Sequence, residues 1–92
     1  MTGIEKEQVK KDVLQIIATF TTLNASELKD DYILKSPPVL MDNIGLGYLA
    51  LSLRGYIKQH NPDATIKARE LRRANLTVGA VISIIKLRVE AE

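Results

Sequence analysis

The chain has 92 residues, 46% of them hydrophobic and 26% charged, with no cysteine, one histidine and a net charge of +2 at pH 7. A chain this short holds one domain around one core, since chains divide into domains only beyond roughly 250 residues, and its composition excludes a disordered or fibrous class. Without cysteine there is no disulfide framework, no thiolate metal ligand and no thiol nucleophile, and any imidazole chemistry would rest on His60 alone.

The opening stretch MTGIEKEQVKK is charged and lacks the apolar run of a secretory signal, and LTVGAVISII ends at Lys86, short of the ~20 apolar residues of a membrane span. A soluble cytoplasmic protein is the expectation. Val9, Val13, Ile16, Ile17 and Phe20 fall at i, i+4, i+7, i+8 and i+11, which predicts a first helix over residues 4–19 with Lys6, Glu7, Lys10, Lys11 and Asp12 around it. From Thr21 to Met41 the residues TTLNASELKDDYILKSPPVLM predict a long loop, and its spaced apolar residues Leu23, Leu28, Ile33, Leu34, Val39 and Leu40 predict that it packs on itself or serves a function.

Leu46, Leu49, Leu53, Tyr56 and Ile57 then define a second helix, preceded by an Asp42-Asn43 pair suited to capping and ended by proline at HNP, with His60 read as part of a polar loop. Gly45 and Gly47 stand inside its first turns, where each costs about 0.8 to 1 kcal/mol relative to alanine. Either the helix starts late, or the Pro-Pro loop, the next helix or a bound partner packs against bare backbone there. The piece DATIKARELRRAN supports one short helix, residues 67–74. Thr77 is a good N-cap for a last helix marked by Val78, Val81, Ile82, Ile85 and Val89. The prediction is an all-α four-helix bundle occupying residues 1–92 as a single domain, with three longer helices, a short third helix and a long first loop.

This order of elements, with the residues around Asp42, resembles the acyl carrier protein family, small four-helix bundles with a long ordered first loop and a short third helix. The family signature is Asp-Ser-Leu at the start of the second helix. Here the matching residues are Asp42, Asn43 and Ile44, followed by Leu49, Leu53 and Ile57 at the family's core spacing, and LTVGAVISII is similar to the family's entry into its last helix. The resemblance implies a site for a phosphopantetheine arm, taken up when the family's serine hydroxyl attacks the pyrophosphate of coenzyme A. Free N–H groups and the positive end of a helix dipole favour the resulting anion. The amide of Asn43 has no hydroxyl, so no phosphodiester forms on it, and the expectation is the carrier's fold with no prosthetic group. As a residue of a helix start, Asn43 also has the plain reading of a surface residue or of a cap worth ~1 kcal/mol. Ser52 and Ser36 are the other hydroxyls considered, and neither has aspartate before it and an apolar residue after it.

Family members are typically acidic along the second helix, whereas residues 42–60 here hold Asp42, Arg54 and Lys58. Lys67, Arg69, Arg72 and Arg73 cluster within seven positions, and on a continuous helix residues 69, 72 and 73 share a face. With Arg54 and Lys58 they are the candidate partner-binding residues; such a patch suits an acidic protein, anionic lipid or nucleic acid, and its plain reading is a solvated face. The lack of neighbouring aromatics weighs against nucleic acid. The sequence therefore predicts a non-enzymatic protein without metal or cofactor, a protein-interaction or regulatory partner in an acyl-transfer pathway of fatty acid, polyketide or peptide synthesis. The alternatives are a genuine carrier modified at an atypical serine, Ser52 or Ser36, and a small basic nucleic-acid-binding domain.

Overall fold

The spacing of Val9, Val13 and Ile17 becomes helix α1 (Lys6–Thr19) in a computed structural model that describes residues 5–90. Helices α2 (Asn43–His60), α3 (Ala68–Leu71) and α4 (Val78–Glu90) follow, and no strand occurs among the described residues. The architecture is all-α, with three longer helices, a short third one and a long first connection. α1 packs on α4 and α2, and α2 packs on α3 and α4.

One hydrophobic cluster joins the helices: Val9, Val13 and Ile17 from α1, Leu46, Leu49, Leu53 and Ile57 from α2, Leu71 from α3, and Val78, Val81, Ile85 and Val89 from α4. Each aliphatic side chain removed from water there contributes ~1.5 to 3 kcal/mol before conformational entropy is charged. No polar or charged residue is buried among the described residues.

Two helix starts are set by local chemistry. Thr77 caps α4, its Oγ1 accepting from the Ala80 N–H at 3.1 Å. At α2, Met41 and Leu46 occupy the positions just before the cap and four residues after it, and both are buried, the pattern of a hydrophobic staple. Three boundaries differ from the periodicity reading. α1 begins at Lys6, and Ile4 lies outside the described residues. α2 runs through His60, whose ring stands edge-on to Tyr56 at 4.9 Å, so His60 belongs to the helix rather than to a loop. α3 spans only Ala68–Leu71, because its carbonyl ends are taken up early: the Arg72 N–H donates to Arg69 O at 3.3 Å and Lys35 Nζ donates to Arg72 O at 2.7 Å.

The long first connection is ordered by its own packing. It holds a 3-10 turn over Ala25–Glu27, buries Leu28, Leu34, Val39 and Met41, and runs beside the start of α4. Leu34 N donates to Leu76 O at 3.0 Å, Val78 N to Tyr32 O at 2.8 Å and Gly79 N to Asp30 O at 2.9 Å. Backbone groups of a long loop need partners wherever water is excluded, and the entry of α4 supplies them.

Candidate functional site at the start of the second helix

Asp42 has extended backbone dihedrals (φ −94°, ψ 178°), and its Oδ1 accepts from the Gly45 N–H at 2.7 Å. The cap of α2 is therefore Asp42, and of the two plain readings of Asn43, a cap or a surface residue, the structure takes the second: Asn43 is the first helical residue and exposed. One residue can fill the cap, and the carboxylate of Asp42 already binds the N–H that a cap satisfies. Asn43 is exposed, and its side chain makes no hydrogen bond among the described residues. Ile44 is exposed as well. The three residues of the expected signature thus stand together at the mouth of α2, one as cap and two facing solvent.

The two glycines have separate explanations. A β-carbon on Gly45 would stand 3.3 Å from Asp42 Oδ1, crowding the cap. A β-carbon on Gly47 would stand 3.4 Å from Arg72 Nη2, and that nitrogen also donates to the Asn43 carbonyl at 3.3 Å. At Gly47 the neighbour is the tip of the Arg72 side chain, from the C-cap of α3, at ordinary van der Waals distance from where a β-carbon would stand. α2 does not start late.

The basic residues divide into two sets. Because α3 ends at Leu71, Arg72 is its C-cap and Arg73 lies beyond it, so Arg69, Arg72 and Arg73 do not form a face of one helix as the sequence suggested. Lys67, Arg69 and Arg73 are exposed, and Arg72 reaches back to α2. Arg54 and Lys58 turn toward the loop after α2: Arg54 Nε donates to Ile66 O at 3.4 Å, and Lys58 Nζ to Pro62 O at 3.3 Å and Ala64 O at 3.0 Å. Cationic side chains there satisfy carbonyls that no helix uses.

Sequence reasoning passed over Arg88, which completes the same loop. Its Nη1 donates to Thr65 O at 2.7 Å and its Nη2 lies 2.7 Å from Glu70 Oε1. That hydrogen bond from Arg88 holds the Glu70 carboxyl below the usual carboxylate range, against the upward push of partial burial, with help from the Lys67 N–H and the charges of Arg88 and Arg73. Nothing in the sequence marks a pair 18 residues apart on different helices.

Ser52 is exposed near the middle of α2, and Ser36 lies half-buried in the first connection, where its carbonyl accepts from Leu40 N at 2.9 Å. Neither stands at a helix start. An open groove of about 400 Å³ lies between the end of α1 and the 3-10 turn, lined by Gln15, Thr19, Asn24 and Ser26 among others, and Asn43 takes no part in it. No cluster of three His, Cys, Asp or Glu side chains able to hold a metal ion occurs among the described residues. No helix among them is long and apolar enough to cross a membrane.

The chain matches no known family model, no curated protein and no solved structure.

Proposed function

We propose that this protein is an acyl-carrier-like helical bundle that carries no phosphopantetheine and acts as a protein-interaction or regulatory partner in an acyl-transfer pathway. The observation that carries the reading is the position of Asn43: an exposed first residue of an 18-residue helix, directly after the capping Asp42 and before exposed Ile44, at the end of a long ordered connection. A group tethered there would sit at the positive end of the helix dipole, the favourable place for a phosphodiester. The donor chemistry does not fit such a tether, because a carboxamide supplies no hydroxyl oxygen. Arg54 and Lys58, on the helix where carriers of this type present acid, make the surface basic and direct it toward a different partner.

The test is mass spectrometry after incubation with coenzyme A and a broad-specificity phosphopantetheinyl transferase, applied to the native chain and to Asn43→Ser. The expected result is an unchanged native mass and a gain of one arm in the variant, mapped to residue 43. A gain on the native chain at Ser52 or Ser36 would overturn the reading in favour of an atypical carrier.

A further inference from the structure

We propose that the outward face of α2 is a docking surface for an acidic amphipathic helix of a partner protein. The proposal rests on this face alone and stands whatever the history of residue 43.

Ile44, Tyr48 and Leu51 follow one another at i, i+4 and i+7 on the side of α2 opposite the buried Leu46, Leu49 and Leu53, and they are 71%, 58% and 56% exposed. Gly55 continues the row at i+11, and a β-carbon there would meet nothing within 4 Å. The ~1 kcal/mol that a glycine costs in a helix interior is thus offset by no contact within the chain. Bare backbone at the end of an apolar row lets a second backbone approach closely. Leu40, two residues before the cap, is 64% exposed and held at φ 51°, in the left-handed region that a leucine adopts at a cost of ~1 to 3 kcal/mol. Its neighbours Val39 and Met41 are buried, so the strained turn sends one large apolar side chain outward just ahead of α2. Contiguous apolar residues kept in water mark interaction sites.

Charge selects the occupant. Gly47, Arg54 and Lys58 (i, i+7, i+11) run along one edge of the apolar row, and the Arg72 guanidinium lies over Gly47, so that edge presents three cations. The other edge carries neutral Ser52 and Gln59, both exposed. No carboxylate among the described residues pairs with Arg54, Lys58 or Arg72, and their bonds to backbone carbonyls leave the charge uncompensated. An apolar row with one basic edge is complementary to a helix that carries leucine or isoleucine at i, i+3/i+4 and i+7 with glutamate or aspartate beside them. A second copy meeting α2 to α2 would bring the same cations together, since a two-fold contact uses one patch twice. A flat anionic membrane would engage both edges of the row, and only one is basic.

The test titrates isotope-labelled full-length protein with a designed glutamate-flanked amphipathic peptide of about five helical turns, with its lysine-flanked counterpart and with phosphatidylglycerol vesicles, following amide shifts by NMR. The expected result is saturable shifts from the glutamate peptide along residues 44–55 and at Arg72, with affinity falling at least roughly tenfold in Ile44→Asp/Leu51→Asp and in Gly55→Gln, and for the lysine peptide. These positions are exposed, so all the variants are expected to unfold cooperatively, Gly55→Gln at or above the native temperature and Ile44→Asp/Leu51→Asp slightly below it. Absence of saturable shifts, equal affinity for the lysine peptide, or tighter capture by the vesicles would overturn the proposal. So would a concentration-dependent dimer, seen by sedimentation, that the same variants abolish.

Discussion

The N–H of Gly79 donates to the carbonyl of Asp30 at 2.9 Å, and a β-carbon on residue 79 would stand 3.1 Å from that same oxygen and 3.1 Å from the Asp30 β-carbon. The first connection therefore lies against the first turn of α4 so closely that a β-carbon at residue 79 would push the Asp30 backbone outward by a few tenths of an ångström. The neighbouring bond from Val78 N to Tyr32 O, 2.8 Å, prevents the loop from backing away. The exposed Lys10–Asp30 pair at 3.7 Å adds little, as surface ion pairs do.

Gly79→Ala is expected to lower stability by up to about 2 kcal/mol, the ~1 to 3 kcal/mol cost of overfilling a packed contact less the ~1 kcal/mol that alanine gains over glycine in a helix. Urea unfolding at neutral pH measures it. Unchanged or increased stability would mean that the connection is free to shift away from α4.

Asp42→Ala is expected to cost about 1 kcal/mol, because it leaves the Gly45 N–H without the carboxylate that accepts from it. Asn43→Ser, by contrast, is expected to stay within about 0.5 kcal/mol of the native chain, since the Asn43 side chain is exposed and bonds to nothing described. Thermal unfolding of the two variants side by side checks the assignment of the cap. Equal losses would return that role to Asn43.

The Glu70–Arg88 pair predicts an acid dependence. Glu70 is held below the ordinary carboxylate value of 4.5 in the folded chain, so its contribution is present above that pH and disappears as pH falls through the lowered folded value. Glu70→Gln is expected to be less stable than the native chain at pH 7, by roughly 1 kcal/mol for a partly exposed charged hydrogen bond, with the gap closing in acid. Denaturation curves recorded from neutral pH down to acid test this. A gap that does not change with pH would remove the pair from the account of stability.

Tyr56 predicts the alkaline counterpart. Partial burial, then the 2.7 Å hydrogen bond that its hydroxyl donates to Asp12 Oδ2, then the charge of Asp12, all raise its pKa well above the ordinary 10.0. A raised value means that the stabilisation is complete below that pH and is lost as pH climbs toward the folded pKa. Tyr56→Phe is expected to cost about 1 kcal/mol at neutral pH and to flatten the alkaline limb of the unfolding profile. Spectroscopic titration of the phenol provides an independent check, and an ordinary tyrosine midpoint would contradict the bond.

The order and approximate extent of the helices were legible from residue order, because a 3.6-residue recurrence of Val, Ile and Leu is a local property that survives in any helical packing. Val9, Val13, Ile17, Leu46, Leu49, Leu53, Val78, Val81 and Ile85 all lie in the core that the pattern marked out. The N-cap at Thr77 and the self-packed first connection were legible for the same reason, the hydroxyl and the buried Leu28, Leu34 and Val39 announcing themselves locally. The exposed row of Ile44, Tyr48 and Leu51 also carried a signal, the same spacing on the opposite side of α2, but an apolar residue on a helix is read toward the core until a neighbour is known to be missing.

What only the tertiary structure decided depends on pairs far apart in the chain. The third helix stops at Leu71, and Arg72 turns across 29 residues to lie on Gly47 and the Asn43 carbonyl. Arg88 reaches Glu70 and Thr65, and Asp30 meets Gly79. Residue order alone determined which segments become helices, that residue 43 bears an amide where an attachment serine would bear a hydroxyl, and that the chain is basic. Which cation meets which carbonyl, and which glycine leaves room for a neighbour, followed from how the helices pack, because hydrogen bonds and contact distances between remote residues exist only once the chain has folded around its core.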